Sequence, residues 1–221
     1  NAADGDVTVT LSNGATITIA DGTTSASTTV TASDDVYQGG DSASVTITGA
    51  SGGVGSVAVA ILNKLGYTVA VVSGRPESEE YLRQLGAAEF VSREEMKQPP
   101  SALESQRWAG AVDTVGSTML ARVLAETKYG GCVAACGLAG GADLPTTVMP
   151  FILRNVSLRG VDSVMCPLDR RKVAWERLVR DIPADALGEI GQIIGLEELP
   201  EMAGKILAGQ VRGRVIVDVN R

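Results

Sequence analysis

Val45-Thr46-Ile47-Thr48-Gly49-Ala50-Ser51-Gly52-Gly53-Val54-Gly55-Ser56 runs from a short β-like alternation, through a glycine-rich turn, into the apolar spacing of a helix. Glycine suits such a junction for three reasons. The chain must turn tightly, a pyrophosphate must approach the backbone closely, and the helix must pack hard against its own strand, leaving its first amides aimed at the phosphates. The spacing is a variant of the usual G-x-G-x-x-G, so the reading rests on its place between strand and helix. A glycine-rich turn that holds no ligand is the alternative.

Downstream the same texture repeats. Residues 54–65 have helical spacing and stop at Gly66; 68–72 form a buried-looking strand; 77–85 are a second helix closed by Gly86; 88–91 are a brief strand. After a polar loop containing Pro99-Pro100, strands are expected over 110–114 and 131–136, with a helix over 118–125 between them. Alternation of this kind predicts an α/β fold, a Rossmann-type doubly wound parallel sheet covered on both faces. About 20 residues after the glycine turn, an unphosphorylated dinucleotide would usually meet an Asp or Glu on its ribose. Here the chain reads Val72-Ser73-Gly74-Arg75. A hydroxyl beside a guanidinium suits a 2′-phosphate, so NADP(H) is the favoured cofactor, with a solvated surface arginine as the plain alternative.

Upstream the character changes. Residues 1–50 hold six aspartates (Asp4, Asp6, Asp21, Asp34, Asp35, Asp41) and no Lys, Arg or Glu, whereas 51–221 carry the other 20 acids against all 19 bases. Residues 7–11 and 15–19 alternate apolar with Thr around Ser12-Asn13-Gly14, a hairpin signal, and a third β-like run spans 28–32. A small β-rich, Thr/Asp-rich segment, residues 1–42, is therefore expected ahead of a dinucleotide-binding domain over 43–221.

Composition excludes several functions. Zero histidines rule out a Ser-His-Asp triad, a Cys-His dyad or a His-ligated zinc within these residues. No metal ligand set is assigned. The net charge of -7 argues against a nucleic-acid or anionic-membrane surface, and no apolar run approaches a membrane span. Three cysteines, an odd number, fit a reduced cytoplasmic setting. Cys132 and Cys136, four apart on an expected strand, lie roughly 13 Å from each other and are read as core thiols rather than a disulfide. Asp113 ends a strand on the ligand side of the sheet, where a turn role and a catalytic role are both open. Arg170-Arg171-Lys172 begins an amphipathic helix whose charges are read as a solvated face.

From Thr48 onward the sequence resembles the zinc-independent, quinone-oxidoreductase-like branch of the medium-chain dehydrogenase/reductases, and within it the NADPH-dependent acrylyl-CoA reductases. The resemblance is carried by Thr48-Gly-Ala-Ser-Gly-Gly-Val-Gly-Ser56, Val72-Ser-Gly-Arg75, Trp108-Ala-Gly-Ala-Val-Asp-Thr-Val-Gly116, Tyr129-Gly-Gly-Cys-Val-Ala-Ala-Cys-Gly-Leu138, Leu144-Pro-Thr-Thr-Val-Met-Pro-Phe-Ile-Leu-Arg154 and Gly160-Val-Asp-Ser163. It implies that Ser51, Gly52, Gly53 and Val54 hold the pyrophosphate and that Ser73, Gly74 and Arg75 hold the 2′-phosphate. By the same resemblance Leu138, Ile152 and Ser163 stand at the nicotinamide end and Arg214 reaches the cofactor from a C-terminal strand over 214–219. It also implies reduction of an enoyl thioester, acrylyl-CoA to propionyl-CoA, and a homodimer formed through the strand near Ser157 and Val161.

Members of that branch carry a GroES-like barrel that supplies one wall of the active-site cleft, and no counterpart is expected among these residues. No catalytic residue is therefore assigned, and cofactor binding is expected to survive better than turnover. Residues 1–47 instead resemble a fragment of the Ig-like repeats of bacterial surface adhesins. The competing expectation is thus an adhesin-type, calcium-associated structural module, or an artificial fusion, with a passenger Rossmann domain.

Overall fold

A computed structural model of the chain describes residues 5–10, 16–21 and 43–221. The chain divides into two compact units, Asn1–Asp41 and Ser42–Arg221. In the first, β1 (Val7–Thr10) pairs antiparallel with β2 (Thr16–Ile19), placing Val7 opposite Ile19 and Val9 opposite Ile17. The alternation of Val and Ile with Thr thus puts the apolar side chains on one face of the ribbon. The Asp21 amide donates to Asp6 Oδ1 at 2.9 Å. The turn expected at Ser12-Asn13-Gly14, the strand expected over 28–32, and Asp4, Asp34, Asp35 and Asp41 lie outside the described residues.

The second unit alternates strand and helix: β3 (Ser44–Thr48), α1 (Gly53–Lys64), β4 (Thr68–Ser73), α2 (Glu79–Gln84), β5 (Ala87–Ser92), α3 (Arg93–Met96), β6 (Trp108–Asp113), α4 (Ser117–Glu126), β7 (Thr127–Ala135), α5 (Met149–Arg154) and β8 (Ser157–Gly160). It continues through α6 (Leu168–Asp181), α7 (Ala186–Ile190), β9 (Gly191–Gly195), α8 (Leu199–Leu207) and β10 (Arg214–Asp218). Strands β3 to β8 form one six-stranded parallel sheet in the order β5-β4-β3-β6-β7-β8. The order reverses between β3 and β6, which opens a crevice at the carboxyl ends of those two strands. β9 and β10 make a separate parallel pair.

Both faces of the sheet are covered, as near-continuous apolar strands require. Val45, Ile47, Val69 and Val71 face α1, α2 and α7, packing with Val59, Tyr81, Leu82 and Ile190. Ala70, Val72, Val91 and Val133 face the opposite way, toward Met96 of α3 and the Met119–Leu124 side of α4. Helix α1 ends where expected, with Gly66 in the left-handed region at φ +87 and the Tyr67 amide donating to Leu62 O at 3.0 Å.

The element edges differ from the sequence reading where local chemistry intervenes. The helix expected over 77–85 begins as a 3-10 turn, Pro76–Ser78, before α2. β6 starts at Trp108, earlier than expected, because the buried indole is fastened there: Nε1 donates to Glu126 Oε2 at 2.9 Å and the Arg107 guanidinium stacks on the ring at 4.5 Å. β7 begins at Thr127 and passes through Gly130-Gly131, with Gly130 at φ +74 and an irregular register opposite Trp108 and Gly110. The cysteine reading is corrected. Cys132 lies on β7 but is exposed, and Cys136 sits just beyond its end, so the two are not a pair of core thiols. Helices α3, α5, α7 and α8 and strand β9 were not anticipated, while α6 extends past the expected amphipathic stretch at both ends.

Candidate functional site

The glycine-rich turn occupies the crevice where the strand order reverses. Gly49 sits at φ +61 directly after β3, and a Cβ there would strike Thr114 Oγ1. A Cβ on Gly55 would come within 2.5 Å of Gly49 O and 2.6 Å of Ala50 Cα, so that residue lets α1 pack against the turn. Gly52, the N-cap of α1, offers no side-chain cap, and the first turn of the helix holds no acid. The positive end of the helix dipole is left open.

Arg214, the first residue of β10, deepens that imbalance. A Cβ on Gly53 would lie 2.7 Å from Arg214 Cζ, which puts a guanidinium beside the first residue of α1. A cation against a helix N-terminus is unfavourable unless an anion joins them. Among the described residues no carboxylate pairs with Arg214.

A cleft of about 620 Å³ extends from this turn and is lined by Ser51, Gly52, Ser73, Gly74, Arg75 and Arg93, together with Thr114, Val115 and the Leu207–Gly209 side. Gly74 is where Arg93 crosses: a Cβ there would meet Arg93 Cδ at 2.6 Å. The Ser73 hydroxyl accepts the Arg75 amide at 3.2 Å, and Arg75 Nη1 donates to Val211 O at 3.2 Å. Arg93 makes no hydrogen bond or ion pair through its side chain among the described residues. Arg75 and Arg93 therefore line one crevice, Arg214 adjoins it at the start of α1, and among the described residues no carboxylate lines it.

The far wall is rigid. Thr48 Oγ1 donates to Asp113 Oδ1 at 2.6 Å, and the Gly116 amide donates to Asp113 Oδ2 at 2.8 Å. Thr48 Oγ1 also accepts the Thr114 amide at 3.0 Å, while Thr114 Oγ1 donates to Thr48 O at 2.9 Å. Asp113 is fully buried and both its oxygens are engaged, which gives it the turn role of the two readings. Cys136 donates its thiol to Asp113 O at 3.3 Å; burial, and secondarily the Asp113 charge, push that thiol above its ordinary range.

Ser51, Gly52, Ser73, Gly74 and Arg75 thus share one cleft, and Gly53, Val54 and Arg214 adjoin it at the start of α1 and β10. Leu138, Ile152 and Ser163 do not line it. They lie after β7, on α5 and after β8, and all three are exposed. Arg93 went unread in the sequence, although a cation directly after an expected strand, Ser92-Arg93, was the available signal. Among the described residues no cluster of three or more His, Cys, Asp or Glu could hold a metal ion.

A family model described as zinc-binding dehydrogenase matches residues 53–180. The chain belongs to the zinc-binding dehydrogenase family. An acrylyl-CoA reductase of Ruegeria pomeroyi is 57% identical over 177 residues, covering 80% of this chain and 54% of the relative. The YhdH oxidoreductase of Salmonella enterica, crystallised in complex with NADP, superposes with a TM-score of 0.78 at 57% identity, covering 80% of this chain and 54% of that one. YhfP of Bacillus subtilis, crystallised with NAD bound, gives 0.76 at 49% identity, with 80% and 54% covered. The chain spans about half the length of the relatives it matches. A LapA domain model also matches residues 1–71, overlapping the dehydrogenase match over α1 and β4.

Proposed function

We propose that the Ser42–Arg221 unit binds NADP(H) as the cofactor half of an NADPH-dependent enoyl-thioester reductase acting on acrylyl-CoA. The observation that carries this is the uncapped start of α1 with the Arg214 guanidinium on it, which together call for a pyrophosphate. Relatives 57% identical to this chain are crystallised with NADP or NADPH, and one 49% identical with NAD. Ser73, Arg75 and Arg93 around Gly74 favour the 2′-phosphate form, since two guanidinium groups offer charge-assisted bonds that NAD cannot use.

Ser51 to Val54 would hold the pyrophosphate, and Leu138, Ile152 and Ser163 would frame the nicotinamide end. Bound NADPH would supply the hydride for the β-carbon of the enoyl thioester. This unit's residues bind and orient the cofactor; in the resembled branch the wall that contacts substrate belongs to the GroES-like barrel. Three free cysteines fit work in the cytoplasm. Among the described residues no helix is long and apolar enough to cross a membrane. β8 is the edge strand of the sheet, available for a homodimer that extends the sheet across a twofold axis.

Calorimetric titration with NADPH and NADH, repeated on Arg75→Ala, tests the reading. Tighter binding of NADPH that weakens in the variant supports it; absence of binding by either nucleotide overturns it. The adhesin-type or fusion alternative rests on Asn1–Asp41 and the LapA match, and nothing in the geometry of Ser42–Arg221 favours it.

A further inference from the structure

The segment from the last residue of α8 to the first of β10, residues 207–214, crosses the cleft and is tied to it at each end. Near its start, Leu207, Ala208 and Gly209 line the cleft, and a Cβ on Gly209 would lie 3.6 Å from Arg75 Nη2. In its middle, Val211 O accepts Arg75 Nη1 at 3.2 Å, and the Arg212 guanidinium stacks on the ring of buried Tyr81 at 4.7 Å. At its end, the Gly213 amide donates to Ser51 O at 2.8 Å, Gly52 and Gly213 form a parallel bridge, and Arg214 lies beside Gly53. Two left-handed glycines fix the path. Gly209, at φ +66, closes α8, with the amides of Gly209 and Gln210 donating to Ile206 O and Lys205 O at 2.9 Å each, and Gly213 stands at φ +63. A Cβ on Gly213 would strike Ile190 O.

We propose that residues 207–214 are a strap that sets cofactor preference, with Gly209, Val211 and Gly213 as positioning residues that act through Arg75. The inference rests on the NADP(H) reading given above. A free arginine must give up several rotatable bonds to grip a phosphate, whereas one whose Nη1 is already held by a backbone carbonyl gives up fewer. The same strap is bonded to Ser51 and Gly52, so the pyrophosphate turn and the 2′-phosphate arginine are fixed relative to one another by a single segment. Preference for the phosphorylated cofactor then depends on the strap as well as on the identity of residue 75.

Two measurements test this. In the first, Gly209→Ala, which strains the strap and leaves Arg75 in place, is titrated with NADPH and NADH after circular dichroism confirms the native fold. The Kd for NADPH is expected to rise by about fivefold or more, with that for NADH held within about twofold. An equal loss for both nucleotides, or no loss for either, overturns the strap's role in specificity. In the second, amide exchange is followed in the nucleotide-free protein. Arg75→Ala is expected to speed exchange at Gly213 by about tenfold, because removing the tether lets the strap open locally. Unchanged exchange there overturns the tether whatever the nucleotides do. Wild-type protein that binds NADPH no more tightly than NADH overturns the cofactor reading itself, and the specificity role with it, without recourse to any variant.

Discussion

Replacing Asp113 with asparagine perturbs the site through its far wall. The carboxylate is fully buried and accepts two short bonds, from the Thr48 hydroxyl at 2.6 Å and the Gly116 amide at 2.8 Å. A carboxamide keeps one acceptor and turns a donor toward the other partner. If its oxygen keeps the Gly116 amide, its NH₂ faces a Thr48 oxygen that already accepts the Thr114 amide at 3.0 Å, and the threonine proton loses its acceptor. A buried bond to a charged group is worth about 1.5–3 kcal/mol, and the amide recovers part of it, so Asp113→Asn should cost about 2 kcal/mol. In a domain of this size that lowers Tm by about 4–8 °C. Urea unfolding at pH 7, with scanning calorimetry alongside, reads both quantities. Thr48→Val should cost a similar amount, and the double variant should fall short of the sum by about 1 kcal/mol, because the two residues share one bond. A loss under about 0.5 kcal/mol for Asp113→Asn, or additive effects in the double variant, would refute the clamp.

Arg93→Ala should raise the Kd for NADPH about tenfold and leave that for NADH nearly unchanged, since the crossing over Gly74 places Arg93 beside the residues proposed to hold the 2′-phosphate; equal weakening of both in a paired titration would count against that proposal. Cys132 should react with a thiol reagent well before Cys136, being exposed while Cys136 is partly buried with its thiol pushed up by burial and then by Asp113; mass spectrometry after timed alkylation gives the order. Asp181 accepts Arg177 Nε at 2.6 Å and Arg180 Nε at 2.7 Å, and these bonds, Arg180's first, hold its carboxyl down at about 2. A depressed carboxylate stabilises the fold fully above the ordinary aspartate range near 3.8 and loses that contribution as pH falls toward about 2, so wild type should lose stability faster than Asp181→Asn across that window in acid unfolding curves.

The sheet was legible because its strands carry their own punctuation. Each buried run of the first half is bounded by a residue that the backbone needs: Gly49 at φ +61 after β3, Gly66 at φ +87 before β4, Gly86 at φ +103 before β5. The errors fall where a side chain far away in sequence decides the edge. Trp108 extends β6 because Glu126 receives its indole N–H, and no window around residue 108 contains residue 126. β9 went unread for a related reason. Gly191-Gln-Ile-Ile-Gly195 is short and carries two glycines, and among the described residues its strand partner is β10, some twenty residues on.

The site divides in the same way, by whether a residue's role lies in its own backbone or in what crosses it. Gly49 and Gly55 could be read locally, one as a turn and the other as a close approach, because glycine announces a conformation. The arginines announce only a charge. Arg75 drew notice because it follows the second strand, but Arg93 and Arg214 reach the crevice from the third strand in the sheet's winding and from a pair outside the sheet altogether. What marks them as a set is that Gly53 and Gly74 have no Cβ and that an arginine side chain lies over each, the guanidinium of Arg214 over Gly53 and the Cδ of Arg93 over Gly74, so a substitution at either glycine would displace an arginine rather than merely strain a turn. Glycine and arginine are here two halves of one feature. The sequence shows the glycine half at residues 49 to 55 and at 74, and only the fold, by carrying residues 93 and 214 back over residues 74 and 53, shows why those positions are bare.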